Sequence, residues 1–196
     1  MIISLKKIWK YSIIISIIMI MTSCDQNYTP LPRGYFRIDL PEHTYKLSDT
    51  TLPYYFEYPV YTYLQSSPQN PDQKYWLNVE YPQFKATVFL SYKEIDNNLI
   101  TYLEDSYTLV SKHIPRAEDI QDSLIVDRVR NVYGLTYKIK GSGAASPYQF
   151  FVTDSASHFV RGALYFNIVP NNDSLEPVID FIRTDIEHLV NTIKWN

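Results

Sequence analysis

The 196-residue chain has one cysteine, Cys24, so no disulfide can close within it and no pair of thiolates is available for a metal or a redox couple. Its four histidines (His43, His113, His158 and His188) are scattered, no two of them at ligand spacing. There is no G-x-G-x-x-G and no P-loop, and Gly141-Ser142-Gly143 reads as a flexible turn rather than a phosphate cradle. No basic stripe interleaved with aromatics is present and the formal charge is −3, so nucleic acid is not an expected partner. A membrane span needs about 20 apolar residues, and the uncharged stretch between Lys10 and Asp25 is too short. Acidic residues are absent before Asp25, and all three methionines (Met1, Met19, Met21) lie before Cys24.

What stands at the front is equally specific. Lys6, Lys7 and Lys10 precede an apolar run from Ile13 to Met21, interrupted only by Ser16, and Thr22-Ser23 leads into Cys24. A basic head, a short apolar core and a small-residue exit make a secretory signal peptide. A buried core helix would be amphipathic and would have no use for three leading lysines. With cysteine directly after the small residues, the segment resembles a bacterial lipoprotein signal, although Met21 stands where leucine is commonest in the lipobox. That resemblance implies a diacylglycerol on the Cys24 sulfur, cleavage before it and acylation of the new terminus. Two or three such chains, at about 0.8 kcal/mol per buried methylene, anchor a protein stably without a transmembrane helix.

The expected organisation is a cleaved signal at 1–23, a lipid-bearing tether at 24–34 with two prolines, and one globular domain at 35–196. Removing 23 of 196 residues leaves 173, enough for a single core. The signal takes three of the 18 basic residues and none of the 21 acidic ones, leaving a formal charge of −6. Attraction to anionic headgroups through a basic patch is therefore not expected. Asp25 follows the cysteine, a position that favours inner-membrane retention in enterobacteria, and no Lys-Asp or Gln-Ala-acidic export signal follows. The domain is expected to face the periplasm, with the choice between inner and outer membrane left open.

Beyond the tether, strand signals dominate. Tyr35–Leu40 alternates roughly, Tyr54–Tyr58 is aromatic, and Ser66–Gln73 reads as a loop. Tyr75–Tyr81 and Phe84–Tyr92 look like an antiparallel pair, with Ala86, Val88, Leu90 and Tyr92 on one face. From Leu99 to His113 the apolar spacing is helical, with Asp96–Asn98 in front and Pro115 behind. A variable middle at Arg116–Asp127 precedes strands at Val129–Lys140, Gln149–Thr153 and Phe159–Val169. Asn171–Ser174 then introduces a terminal helix buried through Leu175, Val178, Ile179, Ile182, Ile186, Leu189 and Ile193, with Pro177 placed in its first turn. The sum is an α+β domain: one antiparallel sheet packed with two main helices.

The phrases YTPLPRGYFRIDLPEHTY from Tyr28, FEYP at Phe56–Pro59, YLEDSYTLVSKH at Tyr102–His113, VYGLTYKIKG at Val132–Gly141 and the tail from Phe150 to Trp195 resemble the gliding-motility lipoprotein family GldD of Bacteroidetes. The resemblance covers essentially the whole mature domain. It implies an envelope lipoprotein required for gliding and for the linked type IX secretion system, with other envelope proteins of that machinery as partners. It brings no catalytic residues, no cofactor and no small-molecule substrate. The order of elements also resembles the PsbP/Mog1-type sheet-and-helix sandwich, an analogy of architecture that does not fix function.

One segment invites an enzymatic reading. Thr153–Arg161 places Asp154, Ser155, Ser157, His158 and Arg161 within nine residues. Nucleophilic catalysis needs an activated hydroxyl beside an oriented base. Yet no G-x-S-x-G elbow surrounds Ser155, and triad members normally meet from distant parts of a chain. A hairpin whose Asp and Ser bond their own backbone is preferred. A periplasmic hydrolase or small-ligand binder built on Asp154–Arg161 is the alternative function. Asp180, Asp185 and Glu187 are read as a solvated helix face, with Asp180, Arg183 and Glu187 in i,i+3 and i,i+4 pairs. His113 and His188, near helix ends, are read as cations meeting the carbonyl dipole, a structural role unless the fold joins them to an acid. Tyr54, Tyr55, Phe56, Tyr58, Tyr61 and Tyr63 crowd ten residues, and exposed tyrosines make interface anchors. The expected partner surface is Tyr55, Tyr58, Tyr61 and Tyr63, with His158 and Arg161, and no catalytic or metal-binding residue is assigned.

Overall fold

Strict alternation of side chains builds the central sheet. In β6 (Ala86–Glu94), Ala86, Val88, Leu90 and Tyr92 are buried while the residues between them are only partly covered. The computed structural model describes residues 38–169 and 171–196. The signal, Cys24 and the tether lie outside the described residues. Before β6 come β1 (Tyr45–Leu47), β2 (Tyr54–Tyr55), β3 (Glu57–Pro59), β4 (Tyr63–Ser66) and β5 (Leu77–Tyr81). Helix α1 (Leu99–Ser111) follows, then β7 (Asp119–Asp127), β8 (Val132–Lys140), β9 (Tyr148–Thr153), β10 (His158–Phe166), helix α2 (Asn172–Thr192) and β11 (Lys194–Trp195). Seven strands form one antiparallel sheet in the order β4-β5-β6-β10-β9-β8-β7. It is open, with β4 and β7 as its edges.

The strand period divides the apolar residues between two faces. Val79, Val88, Leu90, Val152, Val160 and Leu164 face α2, whose Val178, Ile182, Ile186 and Leu189 complete the larger core. Tyr137, Ile139, Phe151 and Phe159 face the other way and pack with Val110, Leu99, Tyr102 and Leu103 of α1. The fold is thus α+β with one helix on each face. Two short ladders, β1-β3 and β2-β11, flank the α2 side, where Tyr54 and Phe56 are fully buried.

Several expectations need correction. Ile38–Leu40, the described part of the expected first strand, is irregular, and pairing begins only at Tyr45. The stretch read as a variable middle holds β7, nine residues paired along β8 from Asp119↔Lys140 to Asp127↔Val132. As an edge strand largely open to solvent it has no need of an apolar face, so composition hides it. Pro177 lies not in the first turn of α2 but at the sixth position of a helix starting at Asn172. The helix start is secured from outside: the Asn172 side chain donates to the carbonyls of Gly141 (2.9 Å) and Ala144 (2.8 Å), and its backbone N–H to Ser142 (3.2 Å). Three carbonyls of the Gly141 turn accept from that one residue.

Close strand approach leaves no space at Gly134 in β8, where an added Cβ would lie 1.9 Å from the Phe151 carbonyl oxygen. A Cβ at Gly143 would meet only the Arg116 side chain, at 3.8 Å. Gly134→Ala is expected to destabilise the domain by about 1–3 kcal/mol or more, and Gly143→Ala by less than about 0.5 kcal/mol. Urea midpoints at constant m-value measure both.

Candidate functional site

The tyrosine window divides into inward and outward members. Tyr54 is fully buried, donates its hydroxyl to the Tyr75 carbonyl at 2.9 Å and stacks on Tyr92. Tyr55 is half-buried in β2, opposite Lys194 of β11. Tyr58 stands edge-on to Phe56, with the Lys46 ammonium 4.9 Å from its ring centre. Tyr61 turns inward and donates its hydroxyl to Asp185 Oδ2 at 2.7 Å. Tyr63, on edge strand β4, is 51% exposed and is the one member of the expected surface turned mainly to solvent.

Asp185 is the unexpected residue. Read from sequence as part of a solvated face, it is 1% exposed. Its Oδ1 meets His43 Nδ1 at 2.7 Å and accepts from Tyr45 at 3.1 Å, while Oδ2 accepts from Tyr61. Rings close over it: His43 stacks on Phe181, and Tyr45 stacks on His188, whose Nε2 lies 2.7 Å from Glu57 Oε2. His188 therefore has a carboxylate partner, whereas His113, half-buried beside Arg161, has its pKa depressed by burial and then by that guanidinium. Burial and then the Asp185 charge push the Tyr45 phenol up to about 12. Tyr61 and Tyr81 are also raised, each first by burial, then Tyr61 by its hydrogen bond to Asp185 and Tyr81 by the Asp185 charge. The helix period did carry the signal: Val178, Ile182, Asp185 and Leu189 follow steps of four, three and four, which places Asp185 on the buried stripe. Asp180, Arg183 and Glu187 do form the expected surface pairs, at 3.3 and 3.1 Å.

The Asp154–Arg161 segment is a turn, and the fold takes its polar groups apart. Asp154 Oδ1 accepts from the backbone N–H groups of Ala156, Ser157 and His158 at 2.8–3.0 Å. Burial raises its pKa, but these three bonds outweigh it and the net shift is downward. Ser155, at φ 66°, sits in the left-handed region and is exposed. His158 bonds Tyr92 through Nδ1 at 2.9 Å and stacks flat on Trp195, on the α2 side. Arg161, an odd number of residues along β10, faces α1 with Phe159. His158 and Arg161 are thus on opposite faces, and no serine approaches the imidazole among the described hydrogen bonds. No group of three or more His, Cys, Asp or Glu able to hold a metal occurs among the described residues.

This frame, a small α+β domain with a non-catalytic turn and an acid-centred aromatic cluster, was compared with known proteins. The family described as gliding motility lipoprotein GldD matches residues 25–195. The chain belongs to that family. As a GldD-family protein it is a cell-envelope lipoprotein, a non-catalytic accessory of gliding motility and of the type IX secretion linked to it. No curated protein matches the chain. Among solved structures, that of cyanobacterial PsbP (CyanoP) from Synechocystis sp. PCC 6803 is similar, with 13% identity, a TM-score of 0.44 and coverage of 86% of this chain and 100% of that one. Likeness of that degree decides nothing about the function of this GldD-family domain.

Removing the Asp185 carboxylate leaves His43, Tyr45 and Tyr61 without their common partner, so Asp185→Ala is expected to cost about 3–5 kcal/mol and to speed hydrogen exchange at Tyr45–Leu47. Alkaline pH acts on Tyr45 of this cluster and on two buried tyrosines elsewhere in the core. Above pH 10 the unfolded chain releases phenolic protons that Tyr45, Tyr92 and Tyr148 retain up to about 12. The folded state then binds more protons, so stability is complete below pH 10 and falls as pH rises towards 12. Unfolding followed by tyrosinate absorbance against pH checks this.

Proposed function

We propose that the protein is anchored through lipid on Cys24 and works as a periplasm-facing binding partner for other envelope proteins of the gliding and type IX secretion machinery. The observation that supports this is the family match, which begins at Asp25, directly after the one cysteine, and runs to residue 195 of a domain whose only acid–base turn is dismantled by the fold. Anchoring raises the effective concentration of the domain near membrane partners without any new contact. The contacts themselves are assigned to exposed side chains. Tyr63 on the β4 edge is the strongest candidate from the tyrosine window, while Tyr55, Tyr58, Tyr61 and His158 have partners within the fold and serve to shape the surface. A PsbP/Mog1-type arrangement is the finer reading of the fold, supported by the sheet flanked by two helices.

Cys24→Ala tests the anchor. The variant is expected to lose palmitate labelling, to leave the membrane fraction and to abolish colony spreading at normal abundance. His158→Ala, which removes the stack on Trp195 and the hydrogen bond to Tyr92 but leaves the anchor untouched, is expected to spread like the parent. Normal spreading and export by the Cys24 variant overturns the proposal.

A further inference from the structure

Between α1 and the sheet lies a second recess that the tyrosine cluster does not reach. Its floor follows a row across neighbouring strands: Trp76 precedes β5, Ser91 lies in β6, and Arg161 stands opposite Ser91 in β10. Lys93 and Phe159 form the next row, paired in register. Tyr102 and Leu109 of α1 close the far side, and the cavity holds about 260 Å³.

The arginine in this recess is short of partners. Of the five N–H donors a guanidinium carries, one is given to Gln149 Oε1, and Tyr165 offers a neutral hydroxyl. Neither Arg161 nor Lys93 appears in any ion pair among the described residues; the six pairs there involve other cations. Lys93 instead lies over the Trp76 ring at 5.3 Å. The one acid on the cavity wall, Asp105, is exposed on the α1 rim and outside ion-pair distance of both cations. Gln149 is 1% exposed, and its Nε2 is the one buried side-chain polar atom without a hydrogen-bond partner among the described residues. A charge drawn partly out of water without a counter-charge is unfavourable unless something supplies the missing anion. Here that unfavourable charge is held in a recess open enough to admit one.

We propose that this recess binds a carboxylate carried on an apolar body, with Arg161 taking the carboxylate in its fork, Lys93 and Ser91 beside it, and the body lying between Trp76, Tyr102 and Phe159. A planar carboxylate matches a guanidinium bidentately. Arg161 and Lys93 less Asp105 on the rim leave one net positive charge, which suits a single negative charge better than a phosphate dianion. The site deepens the binding role proposed above, since the chain terminus of a partner polypeptide carries this chemistry, as does a free aromatic acid. It rests on that role only for its biological meaning, because binding is measured on the purified domain.

The test titrates phenylacetate, phenylacetamide, inorganic phosphate and the peptide acetyl-Gly-Gly-Phe, acid and amide forms, into the isotopically labelled Cys24→Ala protein without its signal. Nuclear magnetic resonance reads the Arg161 Nε–H and the Gln149 side-chain amide. The expected result is a saturable shift of both signals with the two carboxylates and none with the two amides. Arg161→Gln is expected to weaken binding at least about tenfold, with Arg161→Lys intermediate because it keeps the charge but not the fork. Tighter binding of the peptide identifies a polypeptide terminus as the source, and equal or tighter binding of phenylacetate identifies a free acid. Should Arg161→Gln fail to fold, Lys93→Gln and the acid–amide comparison on the parent decide the matter. No saturable shift, equal response to acid and amide, indifference to the substitutions, or stronger binding of phosphate each overturns the proposal. Loss of spreading in Cys24→Ala cells has no bearing on these readouts, so the two proposals fail separately.

Discussion

Packing of α2 across the sheet has to do here what disulfides do in many secreted domains, because the chain's one cysteine lies ahead of the described fold. Val178, Ile182, Ile186 and Leu189 meet residues drawn from β5, β6, β9 and β10, so a single helix joins strands that are far apart in sequence. The same helix carries Asp185 into that contact. A buried carboxylate surrounded by tyrosine hydroxyls and an imidazole satisfies its lone pairs with donors that are themselves mostly apolar. Tyr45 and Tyr61 thereby find a structural use: their hydroxyls give a buried acid hydrogen-bond donors inside the fold.

Much of this was legible in the residues. The alternation in β6 and β8 and the three–four spacing of both helices are strong because each element buries one face and exposes the other. The failures have one physical origin. Periodicity reports burial, so β7, which buries little, reads as a variable middle, and the polar start of α2, held by Asn172 on the Gly141 turn, reads as the lead-in to the helix rather than its first turn. Asp185 shows the converse. Residue type argued for solvent while position argued for the core, and position was the better guide. No sequence rule brings His43 to a helix 142 residues away; that contact needs the fold.

The polar turn after β9 shows how strand geometry vetoes a catalytic motif. Residues two apart on a strand share a face and residues three apart do not, so His158 and Arg161 cannot converge however suggestive their spacing looks. Asp154 Oδ1 is taken by three backbone amides, and the imidazole bonds the Tyr92 hydroxyl rather than the acid. Each group then takes on a local duty: Asp154 shapes the turn, His158 seats Trp195, and Arg161 looks into the recess beneath α1.

The attachment of β1 has a mechanical consequence. Ahead of β1 the Asp39 carbonyl accepts from the Gln83 side chain, between β5 and β6, at 2.8 Å and Ile38 packs on the larger core, while His43–Leu47 grips Pro59, Tyr58 and Glu57 by a short ladder and α2 by the Asp185 cluster. A pull applied ahead of this segment is therefore shared between the seven-stranded sheet and the C-terminal helix rather than taken by one clasp.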